Sequence, residues 1–115
     1  MSITAEEVAA KAGVRDINQE CSNDDLLELS RFCDPWQIVG QYLKLDRTQI
    51  DDIDRDNKTT DLKRLAVLQK WKETFPFNAN YKVLVSALLS CRKVQQALEV
   101  CKILAKKQGK LSLNS

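Results

Sequence analysis

Residues 34–43, DPWQIVGQYL, decide the fold class of this chain. Their apolar positions recur at i, i+3, i+4 and i+7, the spacing that places side chains on one face of an α-helix. These positions are Trp36, Val39, Gly40 and Leu43. Asp34 is suited to cap such a helix, and Pro35 to open it, because the first helical position needs no N–H donor. The stretch therefore predicts a helix with one apolar face against a core.

The same period continues on both sides of this stretch. Thr4 and Glu7 form a predicted capping box for a short helix that ends near Gly13. Further helices are predicted over residues 22–33, 46–56, 60–75, 78–91 and 94–109, each preceded or opened by residues suited to capping. The connections are short, as in compact helical bundles. The prediction is an N-terminal helix or extension over residues 1–21, a six-helix domain over 22–108, and a frayed tail over 109–115.

Length and composition agree with one helical domain. The chain has 115 residues, of which 43% are hydrophobic and 30% charged, which is ordinary globular usage. Only three Gly and two Pro occur, too few for a barrel or sandwich of many short strands. No apolar run reaches the 18 or so residues that span a bilayer, and the N-terminus does not resemble a secretory leader. We expect no membrane insertion.

The cysteines and the missing histidine argue against catalysis and metal binding. Four Cys stand at positions 21, 33, 91 and 101, none in a CxxC pair, and the chain has no His. The usual zinc-ligand patterns are therefore lacking, as is the commonest general base. We expect reduced core thiols in a cytoplasmic protein, with no cofactor, no metal and no small-molecule substrate. A small enzyme that relies on carboxylates or lysine is the weakest alternative.

The charge is divided along the chain, although the net charge is only +2. Residues 1–45 hold four basic and eight acidic groups, and residues 46–61 hold three basic and six acidic groups. Residues 62–115 hold eleven basic groups and only two acidic ones. Opposite poles favour contacts with protein surfaces of complementary charge. A helical nucleic-acid-binding module using the basic half is the alternative, and it is less favoured because the acidic half would repel phosphate.

Four segments together resemble a death domain of the kind found in Fas and in Fas-associated adaptors. They are WQIVGQYLKL at 36–45, IDDIDRDN at 50–57, LQKWK at 68–72, and Ala79 followed by LVSALLSC at 84–91. The resemblance covers about residues 22–107. The caspase-recruitment and death-effector families are sister alternatives, and the presence of both Trp36 and Trp71 favours the death domain proper.

The resemblance implies a six-helix antiparallel Greek-key bundle, the death fold. It also implies a homotypic adaptor that binds other death-domain proteins and assembles an apoptotic or innate-immune signalling complex, without catalysis of its own.

Three contact surfaces are implied by the same resemblance. The first, on the second and third helices of the bundle, corresponds to Asp46, Arg47, Asp51, Asp52, Asp54, Arg55 and Asp56. The second, on the first and fourth helices, corresponds to Arg31, Lys63, Arg64 and Lys70. The third is the corner between the fifth and sixth helices, at Arg92 and Lys93.

Overall fold

The computed structural model describes residues 3–113, with side chains to residue 109, and over these residues it is helical without strands. The elements in chain order are α1 Ala5–Ala12, a 3₁₀ turn Asn23–Asp25, α2 Leu26–Ser30, α3 Trp36–Tyr42, α4 Arg47–Asp56, α5 Thr60–Thr74, α6 Tyr81–Ser90 and α7 Val94–Leu113. The predicted all-α class is confirmed. Helices α2 to α7 supply the six helices of the death fold, and α1 is the additional N-terminal helix.

Two helices, α5 and α6, organise the core. Helix α5 packs against α2, α3 and α4, while α6 packs against α1, α3 and α7. The apolar face predicted for residues 36–43 is buried at every position. The largest fully buried side chains are Trp71, Tyr81, Leu29, Leu43, Leu68, Leu84, Leu88, Leu104 and four valines. Burying each Leu or Val of this set stabilises the fold by about 1.5–3 kcal/mol.

The helix ends follow the predicted caps in part. Thr4 and Glu7 form the predicted capping box of α1, and Thr59 caps α5. Asn80, rather than the predicted Asn78, accepts a hydrogen bond from the backbone of Val83 and opens α6. Helix α7 continues to Leu113, beyond the predicted end at residue 109.

The start of α3 also differs from prediction. The helix begins at Trp36, one residue later than predicted, so Pro35 lies at the position before the first helical residue. Asp34 does not cap the helix. The Asp34 carboxylate instead lies 3.7 Å from the Arg64 guanidinium of α5.

The apolar faces of the helices predicted over residues 60–75 and 94–109 include Leu62 and Val94, but the structure leaves both side chains largely exposed. Leu62 and Val94 keep 49% and 45% of their surface. Each lies in the first turn of a long helix. Periodicity identifies which face of a helix is apolar, but it does not show how far along the axis that face is covered.

The N-terminal segment is joined to the bundle by backbone hydrogen bonds. The N–H of Cys21 donates to the carbonyl of Ala79 at 3.0 Å, and the N–H of Tyr81 donates to that of Gln19 at 3.0 Å. The N–H of Lys82 donates to Ile17 at 2.8 Å. These bonds satisfy the otherwise unpaired donors at the start of α6. They hold the segment that follows α1 beside the start of α6.

Helix α1 packs on α6 and α7. It buries Ala5, Val8 and Ala9 against them, and the Glu6 carboxylate lies 3.0 Å from the Lys82 amine. The hydrogen bond from Lys82 holds the pKa of Glu6 below its ordinary value. The additional helix is therefore part of the packed structure rather than a detached extension.

Gln108 on α7 fastens the loop that follows α1. Its side-chain oxygen accepts from the N–H of Arg15 at 2.8 Å and of Asp16 at 3.4 Å. Its amide donates to the carbonyl of Asp16 at 2.8 Å and to the side chain of Gln19 at 3.1 Å. Gln108 is only 9% exposed, so these partners replace water almost completely.

We expect the substitution Gln108→Leu to lower the free energy of unfolding by about 2–3 kcal/mol, because three backbone groups lose their partner in a part-buried site. Urea denaturation followed by circular dichroism measures the change. The matched control is Gln95→Leu on the same helix, whose side chain bonds only the exposed Glu99. That control should cost less than about 0.5 kcal/mol. Equal losses in the two variants would contradict the role given to Gln108.

Candidate protein-interaction surfaces

Helix α4 presents a row of exposed carboxylates. Ile50 and Ile53 face the core, so the positions between and after them point outward. The outward carboxylates keep between 43% and 70% of their side-chain surface. They are Asp51, Asp52, Asp54 and Asp56, which we call the acidic surface.

Basic side chains of the same helix lie among these carboxylates. The Arg55 guanidinium is 2.9 Å from Asp52 and 3.1 Å from Asp56, and its hydrogen bond with Asp56 is the main cause of its raised pKa. Arg47 is only loosely paired, with 4.0 Å between its Nε and the Asp51 carboxylate. Exposed pairs of this kind contribute at most about 1 kcal/mol each. They can therefore exchange for pairs with another molecule at small cost.

Asp46, at the start of the first predicted surface, has a structural role. Its carboxylate accepts a hydrogen bond from the N–H of Gln49 at 2.8 Å, and the Gln49 side chain accepts one from the N–H of Asp46 at 2.9 Å. The Gln49 amide also donates to the Thr74 hydroxyl at 2.9 Å, which fixes α4 on α5. Asp46 therefore positions the acidic surface.

The second predicted surface is engaged within the molecule at two of its four residues. The Lys63 amine is 2.6 Å from the Asp54 carboxylate and 5.8 Å from the centroid of the Trp36 ring. Arg64 pairs with Asp61 as well as with Asp34. The side chains of Lys63 and Arg64 are only 20% and 21% exposed. These residues join α5 to α3 and α4.

The other two residues of this predicted surface lie apart. Lys70 borders a shallow hollow of about 260 Å³ together with Asp52 and Asp56, so it adjoins the acidic surface. It does so because α5 packs directly on α4. Arg31 is exposed at the end of α2. The structure thus places Lys63 and Lys70 beside the acidic surface.

The corner between α6 and α7 presents two basic residues, Arg92 and Lys93. Arg92 has a left-handed backbone with φ of 60°. Its N–H donates to Leu89 and that of Lys93 donates to Leu88, both at 2.9 Å, which is the Schellman ending of α6. Among the side chains described, neither has an ion-pair partner. We call these two residues the basic corner.

The backbone at Arg92 does not favour arginine. A left-handed conformation costs a residue with a Cβ about 1–2 kcal/mol, which is why glycine usually ends helices in this way. Lys44, at the end of α3, has the same conformation with φ of 71°, whereas α1 ends at Gly13 with φ of 82°. Arg92 therefore occupies a position at which glycine would be less strained.

A protein-family comparison matches the Death domain over residues 17–102. The chain belongs to the death-domain family. Comparisons with curated proteins and with solved structures find no match. Members of the family are interaction modules that bind other death domains. Helix α1 lies outside the matched residues, although it packs on the bundle of this death domain.

The basic residues of α7 are mixed with carboxylates. Lys102, Lys106 and Lys107 line a hollow of about 440 Å³ with Asp25, Glu28 and Glu99. Lys102 pairs with Glu99 at 3.2 Å, and Lys107 pairs with Asp25. Burial alone would raise the pKa of Asp25, but hydrogen bonds from Lys107 and Ser22 outweigh it and lower that pKa. Because carboxylates flank these lysines, this face of the death domain is poorly suited to phosphate.

Sequence reasoning misses one conspicuous surface residue of this death domain. Phe77 is 95% exposed, the largest value among the exposed large apolar side chains. Its position in the sequence could have indicated its exposure, since Phe77 follows Pro76 in the connection between two predicted helices. Periodicity carries no information in a connection, so the residue has no assigned face. No helix within residues 3–113 is long and apolar enough to cross a membrane.

We expect Arg92→Gly to raise the free energy of unfolding by about 0.5–1 kcal/mol, because relief of the left-handed conformation exceeds the added entropy of an unfolded glycine. Thermal and urea denaturation measure the change. The matched control is Ser90→Gly, two residues earlier within α6, which should lower stability because its backbone is helical. A loss of stability in Arg92→Gly comparable to that of the control would show that Arg92 is retained for its packing.

Proposed function

We propose that this death domain is a non-enzymatic, homotypic adaptor that binds other death-domain proteins through oppositely charged surfaces. The observation that carries the proposal is the presence, on one small bundle, of both an acidic surface on α4 and a basic corner at Arg92 and Lys93. Each surface has the charge that the other would bind on a second death domain. We place the adaptor in a cytoplasmic apoptotic or innate-immune signalling complex, in keeping with its family.

The state of the ion pairs supports this use of the two surfaces. Asp51, Asp52 and Asp56 are exposed and held only by weak pairs within α4, so a partner's cations can replace those pairs. Neither residue of the basic corner forms an ion pair with another described side chain, so binding a partner there breaks no such pair. Burial of small charged patches gives weak single contacts, so strong binding would come from several contacts in one assembly.

The cysteines support a non-catalytic and cytoplasmic role. Burial raises the pKa of Cys21 and of Cys33 to about 12, and that of Cys101 to about 11. The pKa of the half-buried Cys91 is raised as well, again by burial. At neutral pH the thiolate that acts as a nucleophile is therefore scarce. Free thiols of this kind are typical of proteins kept in a reducing compartment.

We expect Asp52→Arg to reduce capture of death-domain proteins from a cytosolic lysate at least tenfold, because it reverses charge at the centre of the acidic surface. Mass spectrometry identifies what is retained at low and at high salt, and circular dichroism checks that helicity is unchanged. Binding to the wild type should weaken as salt is raised.

The matched control for this experiment is Asp24→Arg, the same charge reversal at an exposed residue of the 3₁₀ turn. It should bind as the wild type does. If Asp52→Arg folds and retains the same death-domain proteins in the same amounts, the acidic surface is not the contact. If the wild type retains nucleic acid and no death-domain protein, the adaptor function is wrong.

A further inference from the structure

The loop between α5 and α6 presents Phe77 to solvent on a fixed backbone. The N–H of Asn78 donates to the carbonyl of Phe75 at 3.1 Å, and Asn80 caps α6. Ala79, two residues after Phe77, is 1% exposed and accepts the hydrogen bond from Cys21. The loop is thus tied on its C-terminal side to the core and to the N-terminal segment. Because the backbone of the loop is already held in this way, binding through the ring costs little further backbone entropy.

A groove suited to such a ring lies between α3 and α4. Its volume is about 520 Å³, and its apolar lining consists of Ile38, Leu45 and Ile50. Ile38 is 43% exposed, whereas Leu45 and Ile50 are nearly buried. Gly40 lies against the floor of the groove, since a Cβ there would meet Ile50 at 3.6 Å and Leu45 at 3.7 Å, in ordinary van der Waals contact. The groove therefore has a solid apolar floor with one accessible aliphatic wall.

Charges beside the ring and beside the groove are complementary. Glu20 borders the same small hollow as Phe77, together with Pro76. Arg47 borders the groove, and its side chain is 94% exposed with only the loose contact to Asp51. Among the described side chains, Glu20 has no ion-pair partner. The lining of the groove also includes the polar residues Gln37, Gln41 and Asp51. A ring beside a carboxylate on one surface and a groove with an aliphatic floor beside an exposed guanidinium on another are complementary.

We propose that Phe77 of one copy of this chain inserts into the α3–α4 groove of a second copy, with Glu20 of the first copy beside Arg47 of the second. Burial of a phenylalanine removes about 150–250 Å² of its surface from water. A contact built on one ring and one ion pair is small, so we expect weak self-association that depends on protein concentration. This contact adjoins the acidic surface, because Asp51 also lines the groove, but it does not involve the basic corner.

Sedimentation of the full chain, from low concentration up to about 1 mM, tests the contact. The wild type should self-associate, and Phe77→Ala should weaken its association at least tenfold, the effect of a modest hot spot. Ile38→Glu should do the same by placing a charge in the groove. A mixture of Phe77→Ala with Ile38→Glu should associate again, because one variant keeps the groove and the other keeps the ring.

Two controls make the result specific. Leu62→Ala removes an exposed apolar side chain elsewhere and should leave association unchanged. Arg47→Glu should weaken association, and the double variant Glu20→Arg, Arg47→Glu should regain it by exchanging the two charges. Circular dichroism verifies the fold of every variant.

Several outcomes would overturn the inference. They are a wild type that stays monomeric up to about 1 mM, a Phe77→Ala variant that associates like the wild type, or a mixture that fails to recover association. If Phe77→Ala lowers capture of other death-domain proteins while the wild type is monomeric, the loop binds a different partner and self-contact is wrong. Loss of association in Arg92→Gly, with Phe77→Ala unaffected, would assign self-association to the charged surfaces instead.

Discussion

The backbone pairing of residues 17–21 with the start of α6 is the interaction on which the other features depend. Helix α6 contacts α1, α3 and α7, and its first turn is held by Gln19 and Ile17. The pairing fixes the loop that carries Phe77 through Ala79. It also brings the chain after α1 within reach of Gln108 on α7. The family match begins at residue 17, so this death domain includes the pairing within its common part and adds α1 to it.

The charge that each surface can offer to another molecule depends on how many of its side chains already form ion pairs within this one. Carboxylates on α4 are exposed because Ile50 and Ile53 occupy the inward positions, and nearby cations already neutralise them in part. Lys63 and Arg64 are used inside the molecule, where they hold α5 on α3 and α4. The basic corner has no such internal duty in the side chains described. The acidic surface is therefore partly neutralised and the basic corner is not, so we expect the corner to attract a partner of opposite charge more strongly.

Sequence patterns predict helices and their inward faces well, and surfaces poorly. The stripe at residues 36–43 and the capping box of α1 follow from local spacing, and the structure confirms them. The exposure of Leu62, the pairing of Lys63 with Asp54 and the clamp by Gln108 depend on which helices become neighbours. Local spacing contains no such information. The same limit explains why local spacing does not show that Lys63 and Lys70 lie beside the acidic surface.

The most direct test of the account is an amide chemical-shift titration of the isotope-labelled chain with a death-domain protein captured from lysate. The account predicts that the largest changes fall on Asp51–Asp56 of α4 and on Ser90–Lys93 at the basic corner, and that they weaken as salt is raised. Changes confined to α1 or to the lysines of α7, with α4 and the corner silent, would contradict it.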